Sequence, residues 1–247
     1  MNWMKKVAVA LVCLLPLGLQ AAKVDTLQVK SPSMNKSIEV VVVSPDMAAT
    51  EACPVIYLLH GYGGNARTWV GIKPDLPKIA DEKGIFFVCP DGKNTWYWDS
   101  PLNADVRYET FISDELVKYV DSHYKTVADR KGRAITGLSM GGHGAMWNGL
   151  RHSDVFSAAG STSGGVDIRP FPKNWEMSVQ IGEKAKYPEN WEKYTVINLV
   201  PTLRKDQIAL IFDCGDSDFF LEVNKNYHEA LLKQGIDHDF IKIGRAH

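Results

Sequence analysis

The stretch RAITGLSMGGHGAMW, residues 133–147, says most about the architecture of this 247-residue chain. Its apolar start predicts a buried strand, and the pattern after Ser139 predicts a helix. Gly137 and Gly141 flank the serine, and glycine permits a sharp turn because it lacks a Cβ. A G-x-S-x-G turn between strand and helix exposes the serine hydroxyl at a helix N-terminus, which is typical of a catalytic nucleophile. The alternative interpretation is a tight turn with an incidental serine.

Segments rich in β-branched and aromatic residues alternate with helical patterns on both sides of this turn. The predicted strands are 37–46, 54–62, 85–92, 133–138, 156–164, 207–215 and 238–243. The predicted helices are 74–84, 112–125 with Ser113 as its cap, the segment after Ser139, and 220–235. This alternation predicts a mostly parallel sheet with helices on both faces.

Residues 165–206 interrupt the alternation with prolines, two tryptophans and only short helical patches. We interpret this stretch as an insertion over the carboxyl ends of the strands. Open α/β sheets bind their ligands at that edge, so the insertion is expected to lie over the active site.

The N-terminus carries two lysines at positions 5 and 6 and an apolar run over 7–19. Small residues follow, so residues 1–22 are interpreted as a secretory signal cleaved after Ala21 or Ala22. The run is too short to span a bilayer. We therefore expect a mature domain over 23–247 that is exported to the periplasm or beyond the cell, with no membrane insertion after cleavage.

The net charge and the cysteines bear on which partners and metals the protein is expected to bind. The formal net charge is −1, so no basic surface indicates a nucleic-acid partner. Outside the signal, the cysteines are Cys53, Cys89 and Cys214, whose wide spacing resembles no zinc site. Free buried thiols are the simpler expectation, with one disulfide as the alternative. No feature of the sequence indicates an oligomeric state.

A serine nucleophile needs donors for the oxyanion that develops during acyl transfer. The glycine-rich segment LLHGYGGN, residues 58–65, follows a buried strand. The backbone N–H groups of Tyr62 and Met140 are the expected pair of donors. His60 is favoured as an anchor of the glycine loop over a role as base, and His143 is expected to be packed rather than catalytic.

The acid of the triad should follow the serine at a strand end. The segment LIFDCGDSDFF, residues 210–220, offers Asp213 inside the strand and Asp216 and Asp218 in its exit loop. The loop position suits an acid that orients an imidazole, which leaves Asp216 and Asp218 open. The base should be a histidine after the last strand, where His247 stands. His228 and His238 are expected to be structural.

These segments together resemble the esterase D-like family of α/β-hydrolases over about residues 37–241. This group includes tributyrin, feruloyl and acetyl-xylan esterases, S-formylglutathione hydrolases and mycolyltransferases. The resemblance is carried by YLLHGYGGN, FFVCPDG, YETFISDELVKYVDSHY, RAITGLSMGGHGAM and CGDSDFFLEVNKNYHEALLKQGIDHDF. It implies the α/β-hydrolase fold, Ser139 as nucleophile, Asp218 as acid through a C-G-x-x-D pattern, Tyr62 and Met140 as oxyanion donors, and neither metal nor cofactor.

The C-terminus departs from this family, which continues past the last strand with a Pro-Gly-x-His turn and a terminal helix. Here the chain closes with IGRAH, residues 243–247. These five residues also match the translation of a common sequencing adapter. We therefore expect a truncated C-terminus, with His247 standing at the place of the catalytic histidine and the hydrolase activity of this chain impaired.

The substrate expected from the sequence is an ester of small-molecule or carbohydrate type. Trp96 and Trp98 lie in a loop after a strand, where they are expected to form a wall for an acyl or sugar group; packing beneath the insertion is the alternative. We expect an exported serine carboxylic-ester hydrolase that removes acetyl or feruloyl groups. The alternatives are an acyltransferase, an S-formylglutathione hydrolase-like thioesterase, which an export signal disfavours, and a catalytically dead carbohydrate-binding relative.

Overall fold

Eight strands form one sheet in the computed structural model, which describes residues 22–244. They are β1 (Lys23–Ser31), β2 (Lys36–Ser44), β3 (Val55–Leu59), β4 (Phe86–Pro90), β5 (Arg133–Gly137), β6 (Ala158–Thr162), β7 (Ala209–Gly215) and β8 (Asp239–Ile243). Their order across the sheet is β1-β2-β4-β3-β5-β6-β7-β8. The first two pairings are antiparallel and the other five are parallel, which confirms the predicted mostly parallel sheet.

Helices connect these strands. They are α1 (Thr68–Ile72), α2 (Leu76–Lys83), α3 (Tyr108–Thr110), α4 (Leu116–His123), α5 (Met140–Arg151), α6 (Met177–Ile181), α7 (Pro188–Lys193) and α8 (Leu221–Gln234). Short 3₁₀ turns occupy Asp46–Ala49, Arg130–Gly132 and Val196–Thr202. Left-handed Gly84 and Gly235, with φ of 63° and 70°, end α2 and α8 where the sequence predicts their ends.

The predicted cap at Ser113 is wrong. Helix α3 begins at Tyr108 and continues through a π-helical turn, Phe111–Glu115, into α4. Ser113 lies inside that turn, and its hydroxyl donates to the Glu109 carbonyl at 2.7 Å. A serine whose hydroxyl bonds to the carbonyl four residues earlier lies inside a helix rather than at its start. The helix therefore begins about one turn before the predicted position.

Both faces of the sheet are covered, as predicted. Val40 and Val42 of β2 belong to an apolar cluster that includes side chains of α4, α5 and α8. Val41 and Val43 point the opposite way, into a second cluster with Leu76 and other residues of α2. This alternation follows the two-residue period of a strand and makes the central strands apolar on both sides.

The three cysteines outside the predicted signal are buried and free of disulfide bonds, which confirms the simpler expectation for Cys53, Cys89 and Cys214. Within residues 22–244, none of the helices is long and apolar enough to cross a bilayer. The predicted signal, apart from Ala22, and His247 lie outside the described residues.

Candidate active site

Ser139 sits in a strained turn between β5 and α5. Its φ of 57° and ψ of −115° are unusual for any residue with a side chain. The turn is held to its neighbours because the Ser139 N–H donates to the Thr162 carbonyl at 2.8 Å and the Leu138 N–H donates to the Leu59 carbonyl at 3.2 Å. Such strain persists only where the surrounding structure enforces it, and it is common at active sites.

The glycines around Ser139 are required by close contacts. A Cβ at Gly141 would lie 2.2 Å from the Leu59 carbonyl oxygen, and one at Gly137 would lie 2.3 Å from the Gly141 oxygen. Neither position has room for a side chain. The G-x-S-x-G pattern is therefore explained by the packing of this turn against the end of β3.

A cleft of about 540 Å³ opens at Ser139. It holds both Ser139 and Asp218, so the structure brings the predicted nucleophile and one predicted acid to the same site. The remaining lining residues are Trp69, Ile72, Leu138, Thr162, Ser163 and Phe219. The aromatic and aliphatic members give the cleft apolar walls that suit the acyl part of an ester.

The three candidate acids have different surroundings. Asp213 lies within β7 and accepts a hydrogen bond from the Thr162 hydroxyl at 3.1 Å. Asp216 is exposed and accepts from the Ser217 hydroxyl at 3.1 Å. Asp218 is half-buried, lines the cleft, and accepts from the Phe220 N–H at 2.7 Å, which fixes its carboxylate at the entry to α8. The geometry therefore favours Asp218.

His60 anchors the glycine loop, as predicted. It is buried; one ring nitrogen, Nδ1, lies 2.7 Å from the Gly61 carbonyl, and the other, Nε2, accepts from the Gly92 N–H at 2.9 Å. Both nitrogens are thus engaged with the backbone, which leaves neither available to Ser139. The ring fixes the loop instead.

The predicted oxyanion donors lie on the two segments that meet at Ser139. A Cβ at Gly61 would stand 3.5 Å from the Ser139 Cβ, so the glycine loop packs directly on the serine turn. Met140 is the first residue of α5, whose N–H is among the donors that a helix leaves without an intrahelical partner. The Tyr62 side chain points to the insertion, where its hydroxyl donates to Glu176 at 2.8 Å. The role of the Tyr62 and Met140 N–H groups stays a prediction.

His143 is packed in the core, as predicted. It is buried, its Nδ1 lies 2.9 Å from the Gly165 carbonyl, and its ring contacts Trp98 at a centroid distance of 5.0 Å. Burial lowers the pKa of His143 to about 4, although the hydrogen bond to Gly165 opposes the shift. The imidazole is therefore neutral at physiological pH and serves packing.

Trp96 and Trp98 require a correction to the expectation that they form a wall of the site. They are 1% and 0% exposed, and their rings stack on each other with centroids 5.7 Å apart. Trp96 and Tyr97 both have left-handed backbone, with φ of 58° and 60°. Both indoles are therefore packed in the interior, which was the alternative interpretation of these residues.

Three residues that line the cleft beside Ser139 and Asp218 were not expected from the sequence: Trp69, Ile72 and Phe219. Trp69 and Ile72 lie on α1, a short helix for which no element was assigned, and Phe219 is 61% exposed beside Asp218. A large aromatic next to the predicted acid was an available signal for Phe219. The part of the chain described here, 22–244, contains no cluster of three or more His, Cys, Asp or Glu side chains placed to hold a metal ion.

Known proteins are similar to this chain over most of its length. A model of the Esterase family matches residues 31–235. The chain is similar to an acetyl esterase of Caldicellulosiruptor saccharolyticus, with 26% identity over 76% of this chain and 74% of that protein. It is 30% identical to Esterase Rv1288 of Mycobacterium tuberculosis over 89% of this chain, and spans about half of that relative, 54%.

A solved structure of a ferulic acid esterase superposes on the chain with a TM-score of 0.75 and 28% identity, covering 92% of each chain. The family model covers most of the sequence, and the superposition on that structure extends over 92% of this chain. The chain therefore belongs to the Esterase family and is a carboxylic ester hydrolase with the α/β-hydrolase fold.

Proposed function

We propose that this protein is an exported serine esterase that works through an acyl-enzyme on Ser139. The observation that carries the proposal is the cleft shared by the strained Ser139 and the anchored Asp218. Ser139 is held on a sharp strand-to-helix turn after β5, and Asp218 follows β7, two places along the sheet. These are two parts of an activated serine nucleophile, which a histidine base completes.

In the proposed reaction, His247 accepts the Ser139 proton while the serine oxygen attacks the ester carbonyl. Asp218 holds the imidazole in its reactive tautomer and stabilises its charged form. The N–H groups of Tyr62 and Met140 bind the oxyanion. The histidine then gives the proton to the leaving alcohol. In the second half of the reaction, the histidine takes a proton from water as the water oxygen attacks the acyl-enzyme. The proton returns to the Ser139 oxygen when the acid leaves.

Carbohydrate esters with acetyl or feruloyl groups are the proposed substrates. The support is the similarity to proteins named acetyl esterase and ferulic acid esterase. The apolar walls at Trp69, Ile72 and Phe219 suit an acyl group. Export is proposed from the interpretation of residues 1–22 as a signal and fits a polymeric substrate outside the cell.

Hydrolysis of p-nitrophenyl acetate, with and without a sugar acceptor, tests the reaction type. The proposal expects Ser139-dependent release of acetate to water in both conditions. Acetylated and feruloylated xylan, with S-formylglutathione as the competing substrate, test the substrate class. Acetyl transfer to the sugar would indicate an acyltransferase, and preference for the thioester would indicate the thioesterase alternative. The absence of any Ser139-dependent reaction would favour the catalytically dead carbohydrate-binding relative.

A further inference from the structure

Two consecutive residues of the insertion, Trp175 and Glu176, adopt left-handed backbone with φ of 49° and 53°. Neither is glycine, so the turn is strained and the contacts around it must hold it in place. The turn immediately precedes α6 (Met177–Ile181). Its two side chains reach different loops of the active site.

Glu176 contacts the loop that carries the predicted oxyanion donor. Its carboxylate accepts from the Tyr62 hydroxyl at 2.8 Å and from the Asn94 amide at 3.4 Å. The side-chain amide oxygen of Asn94, Oδ1, accepts from the Gly63 N–H at 2.9 Å. The insertion is thereby tied to two successive residues of the glycine loop, one of which supplies the proposed oxyanion N–H.

Trp175 contacts the loop that carries the acid. Its ring stacks on Phe219 with centroids 5.3 Å apart and an interplanar angle of 28°, and it also packs against Phe220 at 5.2 Å. Both phenylalanines follow Asp218 directly. The Trp175 carbonyl accepts a hydrogen bond from the buried Trp96 indole at 3.2 Å, which fixes the turn to the core.

We propose that Trp175 and Glu176 form a clamp across the cleft, in which Glu176 is a positioning residue that holds the Tyr62 N–H where the oxyanion forms. The inference rests on the proposed function. Glu176 acts through Tyr62 because its carboxylate is hydrogen-bonded to the Tyr62 hydroxyl and the Asn94 amide. Oxyanion donors stabilise the transition state only when they are held in place before the reaction, so a loosened loop lowers kcat rather than substrate affinity.

Steady-state kinetics on an activated ester test the catalytic part. Glu176→Ala is expected to lower kcat by about 3- to 10-fold, the size of one hydrogen bond of ordinary net strength, with KM within about twofold. Glu176→Gln retains an acceptor and should recover part of the loss. Tyr62→Phe combined with Glu176→Ala should be little worse than Glu176→Ala alone. Glu189→Ala, an exposed glutamate in the first turn of α7, is the matched control.

Glu176→Gly separates positioning from folding. Glycine relieves the left-handed strain, so the melting temperature should stay unchanged or rise while kcat still falls. A kcat equal to that of the parent in both Glu176→Gly and Glu176→Ala would overturn the proposal, as would a fall in kcat that merely follows a loss of stability.

Amide hydrogen exchange tests the clamp without relying on activity. Glu176→Ala should speed exchange in residues 61–64, and Trp175→Ala should speed exchange in residues 216–220, while Glu189→Ala changes neither. Unchanged exchange in both loops would refute the clamp. If the parent showed no Ser139-dependent hydrolysis, the proposed function would fail, and faster exchange in these loops would still establish the physical connection between them.

Discussion

At the scale of single residues, the backbone of Ser139 combines strain with function. A residue with a side chain at φ 57° and ψ −115° carries about 1–3 kcal/mol of strain. Ser139→Gly should therefore raise the free energy of unfolding by about 1 kcal/mol, less than the full strain because glycine loses more entropy on folding. The same variant should lack esterase activity. Urea unfolding measures the gain, and Ser139→Ala, which keeps the Cβ, is the control that should show no gain. A less stable glycine variant would contradict the strain.

The assignment of the acid is tested by two aspartates of one loop. Asp218→Asn should lower kcat by about 10³- to 10⁴-fold because an amide cannot stabilise a charged imidazole. The side-chain amide oxygen of the asparagine can still accept from the Phe220 N–H, so α8 should remain intact. Asp216→Asn is the matched control, because Asp216 is exposed outside the cleft lining, and it should keep near-parental kcat. A larger loss in Asp216→Asn would reverse the assignment.

Acid should unfold the protein partly through His143. Its pKa is about 4 in the fold, because burial lowers it, and about 6.5 in an unfolded chain. A depressed pKa means that the unfolded state binds the proton first. The stability from the neutral ring is present above pH 6.5 and is lost, up to about 3 kcal/mol, as the pH falls towards 4.

The measurement is urea unfolding of the parent and of His143→Phe at pH 7 and at pH 4.5. Phenylalanine keeps an aromatic ring beside Trp98 but cannot be protonated. The variant should lose less stability than the parent between the two pH values. An equal loss in both proteins would show that His143 does not contribute to acid unfolding.

At the scale of elements, the buried pair Trp96 and Trp98 supports the insertion rather than the substrate. Trp98→Ala should lower the free energy of unfolding by about 3–5 kcal/mol, as expected for a truncated core aromatic. Trp98→Phe should lower it less, and both should leave KM for a short ester near the parental value. Unchanged stability with a raised KM would restore the interpretation of this residue as a wall of the site.

The elements that the sequence predicts well are those whose pattern is local. Strands β3 and β4 are apolar throughout, and the helix after Ser139 begins at its motif. Strand β1 was not predicted, because it mixes lysines and an aspartate with its apolar residues. One of its faces is exposed, and the other becomes buried only towards the end of the strand. The start of α3 was missed because the π-helical turn shifts the phase of the helical pattern.

At the scale of the whole molecule, the parts of the site that the sequence does not predict depend on distant contacts. Glu176 meets Tyr62 across 114 residues of sequence, and no local pattern marks either end of that bond. The burial of Trp96 depends on left-handed backbone at Trp96 and Tyr97, which are not residues that favour it. Ser139, and an acid at Asp216 or Asp218, were predictable because motifs at strand ends meet at one edge of a parallel sheet. The choice of Asp218 between the two came from the family resemblance.

The central claim is that an acyl group passes through Ser139, and mass spectrometry of the trapped intermediate tests it most directly. The protein is mixed with p-nitrophenyl acetate, quenched in acid and digested with trypsin, which yields the peptide 134–151 with Ser139 and Thr136 as its hydroxyl side chains. Because the readout is stoichiometric, slow turnover does not prevent it. The account predicts one acetyl group on Ser139 and none on this peptide from Ser139→Ala. An unmodified Ser139, or hydrolysis that persists in Ser139→Ala, would contradict it.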